Sequence, residues 1–118
     1  MKDVYSFNVE NSRKHLFNLV IVLMNARQLN TQEAIDEAFK ICNNSLKGYV
    51  ETKAKLPSWG EVVDKQVAQY VSGLEGWMGA SVSWHSNSKR YFGDHSETKG
   101  SQRVVNILPQ NGELCKME

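Results

Sequence analysis

The sequence predicts an all-α protein built of antiparallel helices. Apolar residues recur at helical spacing over two long stretches, helix start and stop signals separate the stretches, and the connections are short. At 118 residues the chain is long enough to bury one core.

The first segment runs from Asp3 to Gln28. Its second half, LFNLVIVLM, has the Val and Ile content of a buried strand. Its first half shows no alternation, and no Gly or Pro separates the halves, so the whole segment reads as one buried helix. Asn30-Thr31 is an N-cap signature, with Glu33 and Asp36 near the positive end of the helix dipole. The second segment, Thr31 to Lys55, is the clearest. Ile35, Ala38, Phe39, Cys42, Leu46, Tyr49 and Val50 share one face.

Pro57-Ser58 ends that helix and opens the next. The third segment, Ser58 to Ser86, repeats the pattern with Val63, Val67, Tyr70, Val71, Leu74, Trp77 and Met78. Gly73, Gly76 and Gly79 within it suggest a local break or a smooth face for a close neighbour. Beyond Gly93 the chain turns polar. DHSETKGSQ reads as loop, VVNIL at 104–108 is an apolar patch before Pro109, and QNGELCKME reads as a frayed end. The organisation expected is a helical unit over 1–93 followed by a polar loop and tail over 94–118.

Composition excludes more than it assigns. Fourteen Lys and Arg against thirteen Asp and Glu give a net charge of +1, with the lysines scattered. That offers no basic footprint for nucleic acid. The longest apolar run, Leu19 to Met24, is too short to span a bilayer. Cys42 and Cys115 have no nearby partner and fit neither a zinc motif nor a disulfide framework. With no apolar signal core in MKDVYSFNVE, a cytoplasmic location is expected.

Two groups of residues could carry chemistry. Lys2, Ser6 and Glu10 stand at i, i+4 and i+8, which stacks them on one face of a helix. A hydroxyl and a carboxylate so placed are oxygen donors suited to Mg²⁺, which takes few protein carboxylates alongside phosphate oxygens. The same residues also read as a solvated first turn, with Asp3 complementing the dipole. Arg90-Tyr91, preceded by Trp84, could give charge-assisted donors to a diphosphate. Equally, it reads as a cation and a packing aromatic at a helix C-terminus.

Taken in order, DVYSFNVE, an apolar helix, LPSWG, WHSNSKRYFG and VVNILP resemble the fungal class I terpene cyclases, especially the mushroom-type sesquiterpene synthases. That family's metal motif NDxxSxxxE is matched at Asp3, Ser6 and Glu10. Its W-x5-RY pattern is matched at Trp84, Arg90 and Tyr91. The resemblance implies the C-terminal portion of the class I terpene synthase helical fold. It also implies Mg²⁺-dependent ionisation and cyclisation of an allylic diphosphate such as farnesyl diphosphate. Ser6 and Glu10 would ligate metal, Arg90 and Tyr91 would meet the diphosphate, and Trp84, Trp77 and Tyr70 are candidates for an aromatic pocket wall.

The chain also departs from the family. Lys2 stands at the family's Asn ligand, and an ammonium repels a metal rather than binding it, which weakens the Mg²⁺ site. A Gly-Asp step and a His-Asn pair usual after the motif are replaced at Lys14, His15 and Phe17, leaving Asn18. The family's aspartate-rich motif lies upstream, and no DDxxD-like cluster occurs in these 118 residues. Met1 therefore reads as an internal or late start, and the chain is expected to be inactive alone. Helices parted from their partners would expose apolar faces, so a homo-oligomer is expected to cover them. The alternative function is a helical self-association or interaction module derived from a terpene cyclase, without catalysis.

Overall fold

The computed structural model describes residues 1–93, 96–99 and 102–110. Four helices precede a small hairpin: α1 (Lys2–Ser12), α2 (Leu19–Arg27), α3 (Thr31–Ala54), α4 (Glu61–Asn87), β1 (Ser96–Lys99) and β2 (Gln102–Val105). The fold is all-α in substance, as expected. Its radius of gyration, 18.1 Å, exceeds the roughly 13–14 Å of a compact domain of this length, so the helices do not close into a ball.

The first segment is two helices, not one. α1 ends at Ser12, and the chain turns through Lys14, which stands in the left-handed region at φ 57°. That turn is invisible to a search for Gly or Pro because a lysine makes it, at a position where the resembled family has glycine. Asn18 then starts α2. Its side-chain oxygen accepts from Val20 N at 2.9 Å, an N-cap bond. Gln28, also left-handed (φ 54°), closes α2.

α3 begins with a full capping box. Asn30 Oδ1 accepts from Glu33 N at 3.0 Å, and Asn30 N donates to Glu33 Oε2 at 2.8 Å. α2 packs on α3, and α1 packs on α2 and touches α4. The core lies among the first three helices: Phe7, Val20, Ile21, Leu23, Ala34 and Ala38, with Val4, Leu19, Met24, Leu29 and Ile35 packed against it. Arg27 pairs with Glu37 across α2 and α3. Bonds from Lys40 and then Arg27 hold the Glu37 carboxyl below its ordinary range.

The apolar face of α3 loses its cover beyond Ala38, since Phe39, Leu46 and Val50 are exposed. α4 buries none of its 27 residues. The helix runs unbroken through Gly73, Gly76 and Gly79, so the expected local break is not there, and among the described residues nothing approaches the smooth face they leave. α4 is tied to α3 by polar contacts near the connection. Lys53 Nζ and Tyr49 Oη donate to Glu75 Oε1 at 2.6 and 3.1 Å. At its start, Asp64 accepts from Ser58 Oγ and Trp59 N, which holds its carboxyl below the ordinary value.

The polar stretch read as loop pairs with the start of the apolar patch as two antiparallel strands, Ser96 opposite Val105 and Lys99 opposite Gln102. The sequence hid it because the strands are only four residues each and the first is polar throughout. Side-chain anchoring holds the region in place. The Arg103 guanidinium lies 4.4 Å over the Phe92 ring and donates to Ser86 O. Buried Asn8 donates to Asn106 O and accepts from Leu108 N at 2.9 and 2.8 Å, fastening this strand's continuation to α1. Of the expected frayed tail, residues 111–118 lie outside the described residues.

Candidate functional site

α1 places Lys2, Ser6 and Glu10 on one stripe, and their surroundings differ sharply. Ser6 is 1% exposed, and its buried Oγ has no hydrogen-bond partner among the described residues. Leaving such a hydroxyl unpaired costs about 1–3 kcal/mol in general. Glu10 is held from two sides. Lys2 Nζ lies 3.5 Å from Oε1, and Asn18 Nδ2 donates to Oε2 at 2.9 Å.

Asn18 is the hub of this corner. Besides Glu10 it donates to Asp3 O at 2.8 Å, and its oxygen caps α2. Asp3 Oδ2 in turn accepts from Leu19 N at 2.8 Å. The Asp of the motif thus serves as a second cap on α2, satisfying a first-turn amide that has no partner within the helix. Asn18 is almost fully buried, and each polar atom of its side chain is bonded. Its importance was legible only as the survivor of a His-Asn pair.

The second half of the site sits just beyond the end of α4. Tyr91 is buried and its ring lies parallel to that of His85, 5.5 Å away at 6°. His85 also stacks on Tyr5 of α1, at 5.7 Å and 29°. Trp84 meets both His85 and Tyr91 edge-on, at 5.0 and 6.1 Å. His85 Nδ1 is 2.6 Å from Ser81 O, a contact that calls for the proton on Nδ1. Ser86 Oγ also donates to Tyr5 Oη at 3.4 Å. The stack Tyr5–His85–Tyr91 therefore joins the helix of the Ser6–Glu10 stripe to the Arg-Tyr pair. His85 went unremarked in the sequence because a lone histidine beside Trp84 has no motif of its own.

Arg90 is exposed, with its guanidinium 5.6 Å over the Tyr91 ring and its backbone N bonded to Ser88 Oγ. Of the expected pocket aromatics, only Trp84 joins this cluster. Tyr70 and Trp77 are 70% and 73% exposed on α4. Neither lines the cleft of about 690 Å³ between α1, α3 and the hairpin, whose walls include Tyr5, Phe7, Phe39, Phe92 and Ile107.

Does the stripe fit the metal that the resemblance implies? The orphaned Ser6 hydroxyl is an available oxygen. The carboxylate is not, since both its oxygens face nitrogen donors and a cation already stands before it. Mg²⁺ demands near-octahedral oxygens at about 2.0–2.1 Å, which cannot be met while an ammonium holds that place. The half-site as built does not fit a divalent ion.

Residues 1–48 match the family described as terpene synthase family 2, C-terminal metal binding. Over 110 residues the chain is 44% identical to a sesquiterpene synthase of Postia placenta, covering 93% of this chain and 30% of that protein. A sesquiterpene synthase of Cyclocybe aegerita is 39% identical over 108 residues, 92% of this chain and 31% of its own length. An alpha-muurolene synthase of Coprinopsis cinerea is 38% identical over 106 residues, 90% and 25% respectively. The helical fold and these similarities make the chain a relative of the terpene synthases. More particularly, it is related to fungal sesquiterpene synthases, and it spans about a third of the length of the curated relatives it matches.

Proposed function

We propose that this chain supplies the diphosphate-facing C-terminal helices of a class I terpene synthase acting on an allylic diphosphate such as farnesyl diphosphate. The observation that carries the reading is the ring stack Tyr5–His85–Tyr91, which holds α1 and the Arg-Tyr pair at one end of the molecule. Arg90, exposed above Tyr91, offers its guanidinium donors to diphosphate oxygens as charge-assisted bonds. Tyr91, wedged against His85, fixes where that guanidinium sits. Any Mg²⁺ the reaction uses is held by residues outside this chain, and the chain alone does not turn substrate over. Its place of action is cytoplasmic.

Titration of the chain with inorganic diphosphate tests this. Arg90→Ala should weaken binding at least tenfold, in the range expected for losing a charge-assisted pair of about 1.5–3 kcal/mol. Equal affinity of variant and wild type would remove Arg90 from the site. Incubation with farnesyl diphosphate and Mg²⁺ should yield no hydrocarbon from the chain by itself.

A second reading, self-association without catalysis, is favoured by one observation. Among the described residues, much of the apolar row of α4 and of the distal half of α3 is exposed. Light scattering separates it: a monomer at micromolar concentration would argue against an assembly role.

A further inference from the structure

We infer that the cation position in front of Glu10 is filled from within the chain by Lys2, so that the half-site is closed to divalent metal. The inference deepens the proposed function but is read by a different experiment.

Lys2 and Glu10 are eight residues apart, two helical turns or roughly 12 Å along the axis. For Lys2 Nζ to stand 3.5 Å from Glu10 Oε1, the lysine side chain must lie along the helix over the turn that carries Ser6. The ammonium thus takes the carboxylate oxygen that a metal would need. Asn18 Nδ2 takes the other oxygen at 2.9 Å, and α1 and α2 together fix that amide by its bonds to Asp3 O and Val20 N. Glu10 is 17% exposed on its side chain and cannot turn outward without breaking this corner. Ser6 Oγ, buried and unpartnered on the same stripe, marks where a further ligand oxygen stands unused. The three residues form a built site whose charge is already balanced, with a tethered monovalent cation in place of an exchangeable divalent one.

Like charges cannot share the position. A divalent ion near Glu10 must first displace Lys2, and the displaced ammonium remains on the same helix to repel it. Lys2 is 61% exposed, so replacing it removes the charge without opening a core cavity. One substitution should therefore convert a closed half-site into an open one.

The test uses Mn²⁺ alone as a paramagnetic probe, with the full chain and no diphosphate present. Wild type should bind Mn²⁺ no more tightly than Glu10→Gln. Lys2→Asn, and Lys2→Met with no ligand oxygen, should both gain, Asn by tenfold or more. Adding Glu10→Gln to Lys2→Asn should erase the gain, with helix content by circular dichroism unchanged throughout. Glu10-dependent Mn²⁺ binding by wild type as tight as that of Lys2→Asn would overturn the inference. So would a Lys2→Asn chain that gains nothing. Loss of diphosphate affinity in Arg90→Ala bears on the proposed function alone, because that assay contains no metal and this one no diphosphate.

Discussion

The first forty residues and the last helix carry comparable apolar faces on opposite terms. Among the described residues, every buried side chain except Tyr91 lies between Ser6 and Ala38. There the elements are fastened by side-chain bonds: Asn18 and Asp3 at α2, Asn30 and Glu33 at α3, Asn8 at the hairpin's continuation. α4 is longer than any of them and buries nothing, with Trp77, Tyr70 and Val62 mostly in solvent. Periodicity tells which face of a helix prefers burial. Whether that face is covered depends on partners, and among the described residues α4 is held by the Tyr5 stack, the Glu75 tie and the Arg103 bond to Ser86 O without burying any residue.

Substitutions should expose that contrast. Leu23→Ala empties a buried place between α2 and α3 and should cost about 2–4 kcal/mol, enough to unfold a small core in urea. Leu74→Ala on α4, a helix with the same kind of apolar row, should cost under about 0.5 kcal/mol. Equal losses in a denaturation series would mean that α4 is packed as well as α2. Asn18→Ala should come next, at about 2 kcal/mol, from a lost cap and from stranding the Glu10 and Asp3 acceptors. If Asn18→Ala unfolds at the wild-type midpoint, the corner does not hold α1 to α2. Lys14→Gly should act the other way, gaining roughly 0.5–1 kcal/mol by relieving a left-handed lysine. A loss of stability there would show that the Lys14 side chain does more than turn the chain.

Much of this was readable from residues, for identifiable reasons. The α3 start was legible because Asn30-Thr31 is a local N-cap signature with Glu33 in the first turn, and the reciprocal Asn30–Glu33 bonds are what folding adds. The Thr31–Ala54 and Glu61–Asn87 helices were legible because local propensity and apolar spacing agree. The turn after α1 was not, because it depends on a lysine accepting φ 57° and on Asn18 reaching back to Asp3 and Glu10. Those contacts join positions that only the folded chain brings together. The hairpin was missed for a similar reason: Arg103 on Phe92 and Asn8 on Asn106 fasten it from a distance. Of the site, the motif spacing gave Ser6, Glu10, Arg90 and Tyr91 as candidates. It gave no sign of the His85 stack, and it put Lys2 and Glu10 on one face without showing that the ammonium reaches the carboxylate.

The smallest expected effect tests the one polar tie between α3 and α4. Lys53, followed by Tyr49, lowers the Glu75 carboxyl below its ordinary value of 4.5, and the Glu75 bond raises the Lys53 amine above 10.5. Tyr49 is raised as well, by burial first and then by Glu75. A depressed carboxyl contributes stability above its unfolded value and loses it as pH falls through the folded one. A raised amine or phenol contributes below its unfolded value and loses it as pH rises through the folded one. The tie is therefore whole between about pH 5 and 9.5 and weakens on both sides. Glu75→Gln removes the charge, so wild type should exceed it in melting temperature only inside that window, with the difference closing as pH falls through the lowered carboxyl and as it rises through the raised amine. A difference that stays constant across the range would mean that Glu75 acts by shape alone, leaving α4 joined to α3 by the chain and not by charge.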